Sequence, residues 1–470
     1  MRYRPISAIR YISYPRPVGA TLTDERATTN KSDKMEKPTF REALKFWTKL
    51  GFISFGGPAG QVAIMHEFLV EKKKWISDSK FLHALNYCMV LPGPEAQQLA
   101  TYIGWMLHGT LGGLAAGILF VLPSMFILLG LSAIYVSFGN LPWVLAIFSG
   151  LKPAVIAIVI LALIKIGKKS MLSPFHYFVA LAAFFGIFFF NVPFQLIIVG
   201  AIFTATICRQ YFPIFFDVSN NKTTQKEIDE KEFYINKHTI TPNIGFKPLR
   251  FWKQVGVGVL LWSIPLVAFY FVTSDFEFWK KLSLFFTQAA FVTFGGAYAV
   301  LPYVAQVSVE KFNWLTNLQM IDGLALGETT PGPLIMVLVF VGFMAGHNHF
   351  GGSLAMGTLG LVTTTFYTFL PCFLFILVGA PIIERTQENK RVKEILALVT
   401  AAVVGVILNL TIYLGKAVIF PKDFSFAGLD YITLGWTIIS FIAMYRFKIS
   451  MINWIGVSAI FGLVYYLTML

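Results

Sequence analysis

Apolar residues run along this chain in long blocks separated by short polar breaks. The blocks fall at 47–70, 81–107, 113–136, 143–164, 175–190, 194–208, 252–273, 283–305, 318–346, 353–380, 392–414, 428–445 and 450–468. A helix needs about 20 apolar residues to cross a bilayer, so the pattern predicts an all-α polytopic membrane protein. The blocks 175–190 and 194–208 are short and split by Asn191 and Pro193, which predicts a tight hairpin or two tilted short helices. Residues 1–45 are polar and basic with no apolar core of a signal peptide, and are expected to be a disordered extension. Met35, followed by EKPTFREALKFW, reads as an alternative start. A second polar stretch, 209–250, reads as a linker that divides the chain in two.

Composition narrows the class further. Of 470 residues, 56% are hydrophobic and 13% charged, against about 25% charged in a soluble domain. Too little polar surface remains for a cytoplasmic enzyme, a disordered chain or a nucleic-acid-binding module. The 47 phenylalanines suit lipid-facing helices, and a net charge of +14 suits basic cytoplasmic loops. Cys88, Cys208 and Cys372 lie far apart in apolar runs and read as thiols, with no disulfide framework and no metal spacing. The histidines show neither HxxxH nor HExxH spacing, so no metal and no cofactor are expected. The chain has no P-loop and no nucleophile elbow, so neither ATP hydrolysis nor acyl transfer is expected of it.

The two parts repeat. A shift of 239 residues sets 46–113 on 285–352 without a gap and matches 18 of 68 positions. The matches include Phe55-Gly56-Gly57, Glu71-Lys72, Trp75, Pro92-Gly93-Pro94 and His108 followed by Gly112-Gly113. Chance pairing of apolar residues would not keep these in one register. The expected domains are a first repeat over 46–208 and a second over 251–470. Tandem repeats in a membrane protein point to a transporter with its site where the repeats meet. An odd number of crossings separates the repeats, which predicts inverted topology. With every block a full span, the basic clusters fall on both sides of the membrane, against the positive-inside rule. With the FGG and PGP blocks re-entrant, Lys72–Lys74, Lys165–Lys169 and the linker become cytoplasmic, while Lys280, Lys281, Lys311, Lys416 and Lys422 stay outside.

Two motifs carry candidate chemistry. FISFGGPAGQ starts at Phe52 and its partner FVTFGGAYAV at Phe291. The pairs Gly56-Gly57 and Gly295-Gly296 interrupt a regular helix, and Pro58 adds to the first break. Freed backbone groups are tolerated in lipid only inside protein or at a water-filled cavity; close helix packing is the alternative reading. LPGPEAQQLATY starts at Leu91 and ETTPGPLIMV spans Glu328 to Val337. Pro92-Gly93-Pro94 and Pro331-Gly332-Pro333 stop one helix and start another. Glu95, Gln97 and Gln98 follow in the new first turn, and Glu328, Thr329 and Thr330 precede the second turn. A helix N-terminus there is an anion site, and an intramembrane carboxylate is a functional candidate. A plain helix break and a capping role for Glu95 remain the alternatives. The Glu71-Lys72 and Glu310-Lys311 pairs, each before a Trp, read as interfacial anchors.

FGGPAGQ with the downstream WIS, FLHALNYCMVLPGPEAQQLATYIGW and GGLAAGILFVLP closely resemble the chromate ion transporter (ChrA-type) family. FVTFGGAYAVLPYV and GLALGETTPGPL resemble that family's second domain, so the chain resembles the long, two-domain form over about residues 40–470. The resemblance implies a multi-pass plasma-membrane carrier, not an enzyme, that exports chromate, with sulfate as a chemical mimic, and confers chromate resistance. The bilayer and the oxyanion are its expected partners, nucleic acid is not, and a homo-oligomer is left open. A sulfate or other inorganic-anion carrier or channel not dedicated to chromate is the alternative. A membrane-embedded lipid-phosphate enzyme is a remoter one.

Overall fold

The computed structural model describes residues 37–55, 57–171, 173–211, 232–236, 239, 247–383, 390–421 and 428–469. The extension before Lys37, Gly56 and most of the 209–250 linker lie outside the described residues.

Most of the described chain is helical. Six helices have the length and apolarity of a membrane span: α4 (Glu95–Phe138), α5 (Pro142–Ser170), α8 (Pro248–Val272), α13 (Leu354–Ile383), α14 (Lys390–Ile419) and α16 (Met451–Met469). The shorter α6 (Pro174–Phe190) and α7 (Phe194–Tyr211) both pack on α14, and Asn191 ends α6 in a left-handed turn. They form two separate short helices. Large apolar side chains such as Phe189, Phe203 and Phe271 point outward, as a lipid-facing surface requires.

Both motif regions fold as helical hairpins. In the first, α1 (Phe40–Ile53) breaks before α2 (Gly57–His66), which continues into a π-helical turn, Glu67–Lys72. Thr39 caps α1, and the Ser54 hydroxyl folds back on the Leu50 carbonyl at its end, competing with the helix ladder. Lys73 Nζ reaches Glu42 Oε1 at 2.9 Å and Trp75 meets Phe46 edge-on, so the hairpin's two ends lie together. In the second, α3 (Asp78–Cys88), capped by Ser77, turns through Pro92–Pro94 into α4. The backbone of α4 breaks at His108 and Gly109, where His108 Nε2 contacts the Pro38 carbonyl oxygen at 2.9 Å. That contact returns the chain to the start of α1.

The second half repeats this construction. α9 (Phe276–Val292) and α10 (Ala297–Gln306) lead into a π-helical turn, Val307–Lys311. Trp314 packs on Phe285, at the open end. α11 (Asn317–Thr329) carries a capping box from Thr316, and the chain then turns through Pro331–Pro333 into a short 3₁₀ turn and α12 (Val337–His349). Asn348 Nδ2 donates to the Trp314 carbonyl at 2.8 Å, again bringing the ends together. α12 is apolar around its circumference and buried along Val337–Gly346, as such a helix must be. α15 (Tyr431–Tyr445) and α16 complete the bundle against α5.

The linker touches the first half. Ile235 pairs with Ile76 in a short parallel bridge, and Lys74 forms an ion pair with Glu232. Residues 232–236 therefore lie at the open end of the first hairpins.

Candidate functional site

The hairpin tips meet between the halves, and each is bonded to the tip from the other half. The Gly93 N–H donates to the Thr293 carbonyl at 2.8 Å, and the Gly332 N–H donates to the Ser54 carbonyl at 2.8 Å. These are register partners in the 239-residue shift, exchanged. Gly93 sits at φ +124° and Gly332 at φ +98°, a region where side chains other than hydrogen are strained. The Gln61 amide binds the carbonyls of Ser54 and Gly332, a further tie across the same junction.

Beside this junction lies a cavity of about 550 Å³. A water takes about 30 Å³ of liquid, so a hydrated tetrahedral anion fits with room to spare. Three broken-helix N-termini reach its wall: α2 through Pro58 and Ala59, α4 through Glu95, and α10 through Gly296, Ala297 and Tyr298. First-turn N–H groups have no partner within their helix and sit at the positive end of its dipole. Pro58 has no N–H to give, so α10 supplies more donors than α2. Lys165 and Lys169 of α5 enter the same cavity, as do Asn86 and Thr400. Glu95 is the carboxylate in the wall. A Cβ on Gly296 would stand 3.9 Å from Glu95 Oε1, so the two motifs of opposite halves adjoin in the cavity wall.

The sequence-derived candidates divide around this cavity. Glu95, Gly295 and Gly296 line it, and Pro92, Gly93 and Pro94 form the turn that delivers Glu95. Gly57 begins α2 at φ +70° beside the wall. Gly56 lies outside the described residues. Gln97 and Gln98 are fully buried off the cavity: Gln97 Nε2 donates to Thr101 Oγ1 at 3.1 Å, and Gln98 Nε2 donates to the Pro92 carbonyl at 2.7 Å, closing the turn. Pro331, Gly332 and Pro333 hold the opposite junction, and Thr329 and Thr330 return their hydroxyls to helix carbonyls. Glu328 is buried behind the wall and accepts from the Tyr298 hydroxyl at 2.7 Å. Tyr298 thus links the second-half carboxylate to the cavity.

Lys165, Lys169 and Tyr298 are the additions that sequence reasoning passed over. The lysine cluster was legible as topology, but Lys165 and Lys169 stand four apart and share a helix face, while Lys168 turns away to the Tyr445 hydroxyl at 3.3 Å. Tyr298 follows the second glycine pair by two residues, where a new helix opens.

No solved structure matches the chain. Among curated relatives, a probable chromate transport protein of Synechococcus elongatus is 27% identical over 85% of this chain and 90% of that protein. Chromate transport proteins of Cupriavidus metallidurans and Pseudomonas aeruginosa are 28% and 29% identical, over 80% and 83% of this chain and 83% and 85% of theirs. These relatives are named as transporters, in keeping with a multi-pass protein of the cell membrane in which helix termini and lysines line a cavity roomy enough for a hydrated anion. The family profile described as chromate transporter matches residues 41–206 and 280–463, and the chain belongs to that family.

Proposed function

We propose that the protein exports chromate from the cytoplasm through the cavity at the hairpin junction and so confers chromate resistance. The observation that carries this reading is the convergence of three helix N-termini and two lysines on one cavity between the halves. Chromate is a tetrahedral dianion near neutral pH, and half-helix N-termini are the way transporters hold anions near the midplane. Sulfate has the same shape and charge, so it is expected to compete.

The reading takes residues 46–208 and 251–470 as two repeat domains in inverted orientation. Support comes from the paired hairpin ends and from the odd number of intervening helices, the second arm of α4 with α5, α6, α7 and α8. The cavity then opens on the side that carries Lys72–Lys74, the linker residues 232–236 and the C-terminal end of α5. That basic side is the cytoplasmic one by the positive-inside rule. A dianion leaving a negative-inside cell gains about 4.6 kcal/mol per 100 mV, so the membrane potential can drive export.

Glu95 sets the occupancy rule. With the cavity empty, its carboxylate answers the field of Lys169 and the helix termini. An entering dianion takes over that field, and Glu95 must turn aside or take a proton, because like charges repel. The test is chromate accumulation in a chromate-sensitive host expressing the chain, with and without depolarisation and excess sulfate. Lower accumulation that disappears on depolarisation, and its loss in Glu95→Gln with normal membrane levels, is expected. Unchanged accumulation with the protein in the membrane refutes chromate export and favours a carrier for sulfate or another anion.

A further inference from the structure

A second polar cavity, of about 660 Å³, lies at the opposite ends of the helices that wall the first. α9 leads from Lys281 in this cavity to Gly295 and Gly296, just past its end, in the first. α10 starts in the first cavity at Ala297 and reaches the second at Tyr303, about 9 Å along its axis, with Gln306 a turn further on. A smaller recess of about 280 Å³ shares Asn191, Gln306 and Glu310 with it and extends to Asn409, Tyr413 and Lys416 of α14. α14 also lines the first cavity, near its N-terminal end, through Leu396, Ala397 and Thr400. The two cavities therefore face each other along α10 and α14. Between them lie Ala299, Val300 and Leu301 of α10 and Val403 and Ile407 of α14, all fully buried. Pro302 in this stretch removes one helix hydrogen bond from α10.

We propose that this second cavity is an oxyanion site, the vestibule from which the transported anion leaves on the far side of the membrane. The proposal rests on the export reading above. Its chemistry is cationic and amide-rich: Lys281, Lys311 and Lys416 with Gln195, Gln288 and Gln306. The Tyr303 hydroxyl donates to Gln288 Oε1 at 3.1 Å, so the donor NH₂ is what Gln288 has left to offer. Glu310 is the opposing carboxylate and stands beside Tyr413. Lys281, Lys311 and Lys416 are also the charges that the positive-inside rule does not expect on this side. An anion site at this mouth accounts for their placement. The Glu310-Lys311 pair then serves the cavity as well as the membrane anchor.

The test labels a Leu284→Cys reporter in the cavity wall of the full chain, in a Cys208→Ser background, using a membrane-impermeant maleimide added from the far side. Sulfate is the probe because it does not oxidise thiols, and chromate transport is measured in the same vesicles. Sulfate is expected to slow labelling, and Lys281→Gln with Lys311→Gln is expected to raise the half-protecting concentration about tenfold. Labelling indifferent to sulfate, with chromate transport intact, overturns the site. Protection that survives the lysine substitutions overturns it too. Protection without chromate transport keeps the site and sinks the export reading. In vesicles of phosphatidylglycerol, slow labelling that sulfate does not change, against fast labelling in phosphatidylcholine, identifies a lipid headgroup phosphate as occupant and overturns the vestibule.

Discussion

Gly93→Ala tests the junction between the halves most directly. Gly93 holds φ +124°, and a Cβ in such a region costs about 1–2 kcal/mol. That Cβ would also fall 2.7 Å from Gln98 Nε2 and 2.8 Å from Cys372 Sγ. Gln98 cannot simply swing aside, because its amide is bound to the Pro92 carbonyl. Cys372 is fully buried on α13. Overpacking of this kind costs a further 1–3 kcal/mol or so, which brings the total to about 2–5 kcal/mol. Gly57→Ala is the matched control: φ is +70°, but an added Cβ meets nothing within 4 Å, so only the backbone cost of about 1–2 kcal/mol applies. The assay is the thermal midpoint of the purified protein in detergent, followed by size-exclusion fluorescence, together with chromate accumulation in cells. Gly93→Ala is expected to melt well below Gly57→Ala and to lose transport. A Cys372→Ala background should restore about 1 kcal/mol to Gly93→Ala by removing one of the two overlaps. Equal stability of Gly93→Ala and Gly57→Ala, or no coupling to Cys372, refutes the packing argument.

Lys165→Gln and Lys169→Gln should each weaken chromate uptake by inside-out vesicles, raising KM about tenfold, while Lys168→Gln, off the cavity, leaves it unchanged. The half-buried Lys152 on α5 and the buried Asp322 on α11, 3.6 Å apart with the Tyr135 hydroxyl 2.9 Å from Asp322 Oδ2, join the halves elsewhere. Asp322→Asn alone should destabilise the protein by about 3–5 kcal/mol, and pairing it with Lys152→Met should recover part of the loss, read as coupling in a double-mutant cycle of melting midpoints. At the surface loop before α9, the His349 hydrogen bond and the Phe278 N–H hold the Asp275 carboxyl below its ordinary value. A group with a lowered folded pKa stabilises above the unfolded value, about 3.9, and loses that contribution as pH falls through the folded one. Asp275→Asn should therefore flatten the acid side of a plot of melting midpoint against pH.

How much was legible in advance follows from the range over which each feature is decided. Hydrophobic blocks set helix positions because burial in lipid acts on about 20 neighbouring residues at a time. The breaks at Gly-Gly and Pro-Gly-Pro were legible for the same reason, since a missing N–H or a positive φ is a local matter. Even the caps Ser77 and Thr316 and the left-handed Lys74 and Asn313 fall in the 239-residue register. What the breaks do with their free groups was decided only by the tertiary structure. The Gly93 and Gly332 amides, good anion donors by local rules, are instead taken by carbonyls of the other half. Gln97 and Gln98 stand in the same first turn as Glu95, yet they point into packed protein while Glu95 meets the cavity. Lys165 and Lys169 reach that cavity because α5 passes the hairpin tips, a neighbourhood more than 60 residues from Glu95 in sequence. Local chemistry fixes which groups are available, and packing between distant segments fixes which of them are left to face an anion.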